Sequence, residues 1–361
     1  STYDVLSLKD IKADSLIITP MLVETGKGHK VVITEADLED YAGMFVTINE
    51  QRNGFQGTFA PYPLAEKKGG HNNLQAIVTQ RADYIAKTKG TRTFPWRVFA
   101  VSANDVELLN NDLVARLASP NRIGDLSWIK PGKVAWDWWN DLNITGVDFR
   151  AGVNNETYKY YIDFAAKHDV EYVILDEGWS EQSSLLHIKP HIDLPGIINH
   201  AKEKGVGIIL WGGWMPLDAE LEKVLDVYSK MGVVGFKVDF MDRDDQKTVN
   251  FYYRLAKKAA EYKMLIDFHG AYKPTGLQFT YPNVINFEGV YGLENVKWTE
   301  FTDFPGYDVT IPFIRGLAGP MDYTPGAMLN ANSWNWRAIH STPMSQGTRC
   351  HQLAMYVVYE S

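Results

Sequence analysis

The sequence predicts an antiparallel β-sandwich followed by a (β/α)8 barrel. Up to about residue 104 the chain reads as short alternating or apolar runs separated by polar and glycine turns, with no long helical pattern. After Lys133 the rhythm changes to strand, loop, helix, repeated. The repeats contain eight candidate strands and no glycine-rich phosphate loop after the first, which favours a closed barrel over an open doubly wound sheet.

In the first part the predicted strands lie in "DSLIITPMLVET", "KVVITEAD", "MFVTINEQ", "NLQAIVTQRADYIAKT" and "TFPWRVFAVS". The chain opens abruptly here, and the expectation is a sandwich (1–104) that lacks earlier strands. A connector (105–128) holds one short helical pattern. The barrel (129–361) has candidate strands at "KVAWDWW" (133–139), "YVILDEGW" (172–179), "GIILWGGW" (207–214), "GFKVDFM" (235–241), "MLIDFHG" (264–270) and "NVINFEGV" (283–290). Two weaker candidates are "DVTIPFI" (308–314) and "PMDYT" (320–324). Helical periodicity fills the gaps. In "DDQKTVNFYYRLAKKAAEYK", Val249, Tyr252, Tyr253, Ala256, Ala259 and Ala260 share one face, and Asp244 is the expected N-cap.

Composition narrows the function. The 361 residues are 45% hydrophobic and 22% charged, as in globular proteins. A net charge of −8 leaves no basic stripe for nucleic acid. No run of 18 apolar residues suggests a membrane span. Cys350 is the only cysteine, so neither an intrachain disulfide nor a cysteine metal site can form. Ser1 is not an initiator methionine, so a leader removed by processing is compatible with the sequence. Nothing in the sequence defines an oligomeric state. The aromatic content is 13%, a surplus that suits a cleft in which flat rings pack on sugar C–H faces.

Each predicted barrel strand begins apolar and ends polar or aromatic. The endings carry Asp137, Trp138 and Trp139, then Asp176, Glu177 and Trp179, then Trp211 and Trp214. Lys237, Asp239 and Asp242, then Asp267 and His269, then Glu288 continue the series. In a parallel barrel these ends meet at one face, where such enzymes build their sites. A ring of buried carboxylates implies mutual pairing, a metal or a polar ligand. Lys237 and Asp239 share a face at period two, so Lys237 is expected to keep Asp239 ionised. An ionised carboxylate aimed into a cleft can attack an anomeric carbon. Asp176, Glu177, Trp179, Trp211, Lys237, His269 and Trp138 are the candidates for contact with a sugar. Each also has a structural reading, as core aromatic, buried hydrogen-bonding group or satisfied histidine.

The run "HGAYKPTGLQFTYPNVINFEGVYGLE" (269–294), with "VAWDWWN", "LDEGWS", "GFKVDFMD", "PMDYTPG" and "ITEADLEDYAGMF" (33–45), resembles glycoside hydrolase family 97. The resemblance implies a β-super-sandwich, a catalytic (β/α)8 barrel and a C-terminal β domain, the last expected to be absent from this chain. Within the family, an inverting α-glucosidase branch reads HEA where this chain reads "HGA", with Gly270 in place of the glutamate base. "KVDFMD" resembles the retaining α-galactosidase branch, in which Asp239 matches the nucleophile and Glu294 the acid/base. Glu288, Glu294 and Glu35 match calcium-ligand positions, and calcium accepts such hard oxygen donors. The resemblance thus implies a calcium-dependent, retaining exo-α-galactosidase acting on oligosaccharides or other galactosides in a bacterial periplasm. An α-glucosidase or other exo-α-glycosidase, and a non-catalytic carbohydrate-binding protein, remain alternatives.

Overall fold

The computed structural model describes residues 3–300 and 303–359. Its first part is built of small antiparallel sheets. Strands β1 (Met21–Glu24), β2 (Lys30–Ala36) and β7 (Trp96–Ser102) form one sheet. β3 (Met44–Ile48) pairs with β4 (Phe55–Phe59), and β5 (Pro63–Gly69) with β6 (Gln75–Arg81). β4 and β5 are additions to the sequence reading: "FQGTF" and "PLAEKKG" have no apolar alternation to announce them. Val32, Ala36, Val98 and Ala100 bury one face of the first sheet. They pack against Leu108 of α1 (Asp105–Leu109) and Val114 of α2 (Leu113–Leu117), the two short helices of the connector. Thr34, Glu35 and Ala36 are all fully buried. Because neighbours along a strand point to opposite faces, Glu35 is buried away from that small core.

The second part is a parallel sheet of β8 (Val134–Trp136), β9 (Tyr172–Leu175), β12 (Gly207–Gly213), β13 (Gly235–Asp239), β14 (Leu265–Phe268) and β15 (Val284–Phe287). A hairpin of β10 (Ser180–Glu181) and β11 (Ser184–Ile188) follows β9. The spatial order of the parallel strands is their sequence order, and together they form a curled half-barrel. Between the strands run α3 (Asn155–Lys167), α4 (Leu194–Lys204), α5 (Trp214–Ala219), α6 (Leu221–Met231), α7 (Gln246–Glu261) and α8 (Leu277–Thr280). Three of the larger helices start where capping oxygens accept backbone N–H bonds: Asn154 for α3, Asp193 for α4 and Asp245 for α7. The α7 cap is thus Asp245, one residue beyond the expected Asp244. Val173, Leu175, Ile208, Leu210, Phe236, Val238, Ile266 and Phe268 bury the helix-facing side in one core. The opposite side carries the polar residues.

The two weaker strands do not form. Residues 304–318 instead make α9 (Phe304–Asp308) and two 3-10 turns, and 320–324 has no regular structure. Ile311, Ile314 and Leu317 are buried at a spacing of three, the period of a 3-10 helix and not of a strand. Beside β15, the buried Arg315 guanidinium donates to the carbonyls of Phe287, Glu288, Gly289, Gly319 and Pro320. One backbone bond, Asp322 N–H to Phe287 O at 2.8 Å, continues past the strand. This region and α10 (Arg349–Val358) share a second core around Phe304, Tyr307, Tyr323 and Met355. No helix of the described residues is long and apolar enough to cross a membrane.

Candidate active site

Strand register assembles the site. Trp211 lies beside Lys237, Lys237 beside Asp267, and Asp267 beside Asn286, one layer across four strands. Phe236 and Val238 face the helices, so Lys237 and Asp239 face the concave side. Lys237 is the hub of the layer. Its Nζ lies 3.1 Å from Asp176 Oδ2 and 4.0 Å from the centre of the Trp136 ring. Burial disfavours its charge, but Asp176, Asp239, Glu294 and Asp322 outweigh that and push its pKa above the ordinary lysine value.

Asp239 is held at both oxygens. Phe240 N–H donates to Oδ1 at 2.6 Å and Trp211 Nε1–H to Oδ2 at 3.2 Å. Burial would raise its pKa. The hydrogen bond and charge of His269, then the charge of Lys237 and the Trp211 bond, lower it to about 2. The partner that keeps Asp239 ionised is therefore chiefly His269, whereas the direct ion pair of Lys237 is with Asp176. The turn after the nucleophile candidate is unusual: Phe240 and Asp242 have φ of 68° and 51°. Side chains seldom adopt such angles, and they recur at functional sites.

His269 sits between three acids. Its Nδ1 is 3.6 Å from Asp239 Oδ2 and 3.5 Å from Glu288 Oε2, and its Nε2 is 3.7 Å from Asp322 Oδ2. Burial disfavours protonation, but Glu288 and Asp239 outweigh it and hold the imidazole pKa well above its usual value. Glu294, on the 3-10 turn Leu293–Lys297, accepts a 2.8 Å bond from Trp138 Nε1–H. His269, Glu288 and Glu294 each offer a ligand atom within 4.8 Å of the others. Gly270 shapes the space between them. Its N–H donates to Glu288 Oε2 at 2.7 Å, its φ is +54°, and a Cβ there would lie 2.8 Å from Asp239 Oδ1. The position therefore has no room for a side chain while Asp239 occupies its present place.

The other candidates divide. Asp176 is in the layer, accepting from Trp136 Nε1–H at 2.6 Å as well as from Lys237. Trp211 and Trp138 touch the two key carboxylates through their indole N–H groups. Glu177 lies at the rim, bonded to His71, Asn72 and Gln182. Trp179 is fully buried in the helix-side core, its Nε1–H on Trp211 O at 3.0 Å and its ring edge-on to Tyr228. It supports β12 and is not placed to meet a sugar. Glu35 is not part of the His269–Glu288–Glu294 group. Both its oxygens are taken by cations, Oε1 by Lys273 and Oε2 by Arg97, each at 2.5 Å.

Three acids join the site beyond the candidates for catalysis, sugar contact or metal: Asp267 and Asp137, which the sequence places at strand ends, and Asp322. Asp267 is buried with its Oδ1 unbonded, and burial followed by the charge of Asp322 pushes its pKa well above the usual range. Asp322 faces it from "PMDYT", so a strand-end rule could find Asp267 but not Asp322, whose segment forms no strand. Asp137, beside Asp176, is shifted up in the same way, by burial and then by Asp176. As a cation site, the His269–Glu288–Glu294 group offers two carboxylates suited to a hard ion. Burial lifts the Glu288 pKa to about 7; His269 opposes the rise, and Asp239 and Glu294 add to it. A cation there would relieve that crowding of negative charge.

Comparison with known proteins adds an independent line. The sequence profile described as "Glycosyl-hydrolase 97 N-terminal" matches residues 1–120, and "Glycoside hydrolase 97" matches 138–290. A retaining alpha-galactosidase of Bacteroides thetaiotaomicron is 52% identical over 364 residues, covering 100% of this chain and 55% of that protein. A probable retaining alpha-galactosidase of Streptomyces bingchenggensis is 33% identical over 252 residues, 68% of this chain and 38% of that protein. Among solved structures, a glycoside hydrolase family 97 enzyme in complex with acarbose, from Pseudoalteromonas sp. strain K8, aligns with a TM-score of 0.76. It shares 26% identity and covers 96% of this chain and 57% of that one. The chain spans about half the length of the first of these relatives.

Proposed function

The chain belongs to glycoside hydrolase family 97, and from that premise we propose that it carries the active site of a retaining exo-α-galactosidase. One observation supports this most: the buried carboxylate of Asp239 lies 3.6 Å from His269 Nδ1, and His269 also neighbours Glu294. A retaining glycosidase needs such a pair, with carboxyl groups roughly 5 Å apart.

In the first step an Asp239 oxygen bonds to C1 of the galactosyl unit from the face opposite the leaving group. The C1–O bond breaks, and Glu294 gives its proton to the departing oxygen, releasing the alcohol. Trp138 Nε1–H orients Glu294, and Trp211 Nε1–H with Phe240 N–H aims Asp239. In the second step Glu294 takes a proton from water, whose oxygen bonds to C1 as the ester to Asp239 breaks. Two inversions leave the anomeric configuration unchanged. Asp176 and Lys237 are the proposed partners of the sugar hydroxyls, including the axial 4-hydroxyl. Glu288 and Glu294, with His269 beside them, would hold calcium. When bound, the ion supplies positive charge that orients the substrate hydroxyls. We place the enzyme in the bacterial periplasm on the family resemblance, and regard the half-barrel as part of a (β/α)8 catalytic domain beside a β-super-sandwich.

The test is Asp239→Gly in the full-length protein, with p-nitrophenyl α-galactoside as substrate. Turnover is expected to fall by about 10⁴-fold or more. Azide is expected to restore release of p-nitrophenol and to yield β-galactosyl azide. Wild-type turnover of the α-glucoside in place of the galactoside would support the glucosidase alternative, and no turnover of either would support carbohydrate binding alone. An active Asp239→Gly enzyme would remove the nucleophile assignment.

A further inference from the structure

The segment "ITEADLEDYAG" (33–43) lies outside the parallel sheet, yet it grips two loops of the site. Glu35, fully buried on β2, ion-pairs with Lys273 of the loop after β14. Its Oε1 also accepts Met44 N–H at 2.8 Å, and its Oε2 meets Arg97. Two residues on, Asp37 N–H donates to Thr275 O at 2.6 Å. Gly43 N–H donates to Asp244 O at 2.8 Å, and Asp244 Oδ2 is 3.7 Å from Lys273 Nζ. The loops after β13 and β14 are thus fastened to the end of β2 and the segment that follows it.

These loops carry the atoms that arrange the acids. Gly270 N–H holds Glu288, and Gly270 O accepts Asp242 N–H at 2.7 Å. The backbone at His269 is tied to β13 through Val238 O at 2.8 Å. The far end of the same loop has Lys273 and Thr275 as its anchors. Lys273 stands only three residues beyond Gly270, so a shift of its ammonium moves the Gly270 amide against Glu288 and Asp239. The pair Glu35–Lys273 is buried at both ends, and losing one partner leaves Lys273 with the longer 3.7 Å contact to Asp244 as its anionic partner, or Glu35 with Arg97 as its cationic one.

We propose that Glu35 and Lys273 are positioning residues, an ion pair from the antiparallel part that sets the 270–275 loop for catalysis. The inference rests on the function proposed above. It differs from the family expectation for Glu35, a calcium ligand, because both Glu35 oxygens are engaged by cationic side chains.

The experiment compares full-length wild type with Glu35→Gln, Lys273→Met and the double variant Glu35→Gln/Lys273→Gln. Three quantities are read: kcat and KM for p-nitrophenyl α-galactoside, calcium affinity by titration with the ion alone, and amide hydrogen exchange across 270–275. A strut predicts that both single variants behave alike: kcat falls about tenfold or more, KM stays within about threefold, and the loop amides exchange faster. The double variant should then lose no more than either single one. A ligand role for Glu35 predicts opposite effects: Glu35→Gln weakens calcium binding, and Lys273→Met leaves it unchanged or tightens it. That pattern overturns the proposal, as do wild-type kcat and wild-type exchange in both variants. If neither single variant is soluble, the double variant decides, since it neutralises both members of the pair and leaves only Arg97 and Asp244 to lose a partner. Its insolubility, or its wild-type kcat, assigns the pair a purely structural role. If the wild type turns over no α-galactoside, the proposed function has failed, and loop exchange alone judges the strut.

Discussion

Replacing Gly270 by alanine tests the site's central crowding. The backbone there has φ +54°, which costs an L-residue roughly 1–2 kcal/mol. The new Cβ would stand 2.8 Å from Asp239 Oδ1, 2.8 Å from Phe240 N and 3.0 Å from Asp242 Oδ1. None of these can swing clear easily, because Asp239 is bonded to Trp211 and Phe240, and Phe240 N is backbone. Crowding of this kind adds about 1–3 kcal/mol, so the total loss is about 2–5 kcal/mol. Relief by displacing Asp239 costs turnover, on the order of 10²-fold for each ångström. The control is Gly205→Ala at the end of α4, where φ is also positive, at 72°, but no atom lies within 4 Å of the added Cβ. It should lose about 1–2 kcal/mol and no activity. Urea denaturation followed by tryptophan fluorescence gives the stabilities, and p-nitrophenyl α-galactoside gives kcat. Equal stability losses in the two variants, with kcat unchanged in Gly270→Ala, would refute the spatial argument.

Trp138→Phe keeps a ring but removes the 2.8 Å donor to Glu294. kcat should fall about tenfold, and more for a galactoside with a poor leaving group than for the p-nitrophenyl one. An equal loss on both substrates would detach Trp138 from the acid. Asp308 is buried, bonded to Tyr323 OH, with Oδ2 unbonded and His351 Nε2 3.5 Å away. Burial raises its pKa from 3.8 to about 7; the Tyr323 bond opposes the rise, and Asp303 adds to it. The folded state therefore holds this proton more tightly than the unfolded one. The contribution is fully present below about pH 4 and is lost as pH rises through 7, at most about 4 kcal/mol. Asp308→Asn should flatten that slope and melt higher than wild type at pH 8. An unchanged pH–stability profile would argue against a buried acid titrating there.

The parallel strands were legible because each is a short apolar run that ends polar, and β9, β12, β13, β14 and β15 all lie within their expected stretches. The Asp239 side of the site was legible for the same reason, since period two places Lys237 and Asp239 on one face. The expected 308–314 strand failed because apolar residues spaced by three outweighed the β-branched content that suggested a strand. Asp322 was hidden with the last expected strand, since its place is fixed by a backbone bond to Phe287 and not by any periodic pattern. Trp179 misled because a strand-end tryptophan reads alike whether its ring faces sugar or helix. Glu35 matched a motif, but its partner Lys273 is 238 residues away, a separation at which no local pattern operates.

Arg315 has the last consequence. Where a seventh strand would have zipped onto β15 with a ladder of amides, one guanidinium gathers the loose carbonyls into a single knot. A ladder demands register along its whole length, whereas a knot demands only that its few strings arrive together. The seam therefore depends on the placement of one side chain and not on register, and removing the arginine would free the carbonyls of Phe287, Glu288, Gly289, Gly319 and Pro320 together.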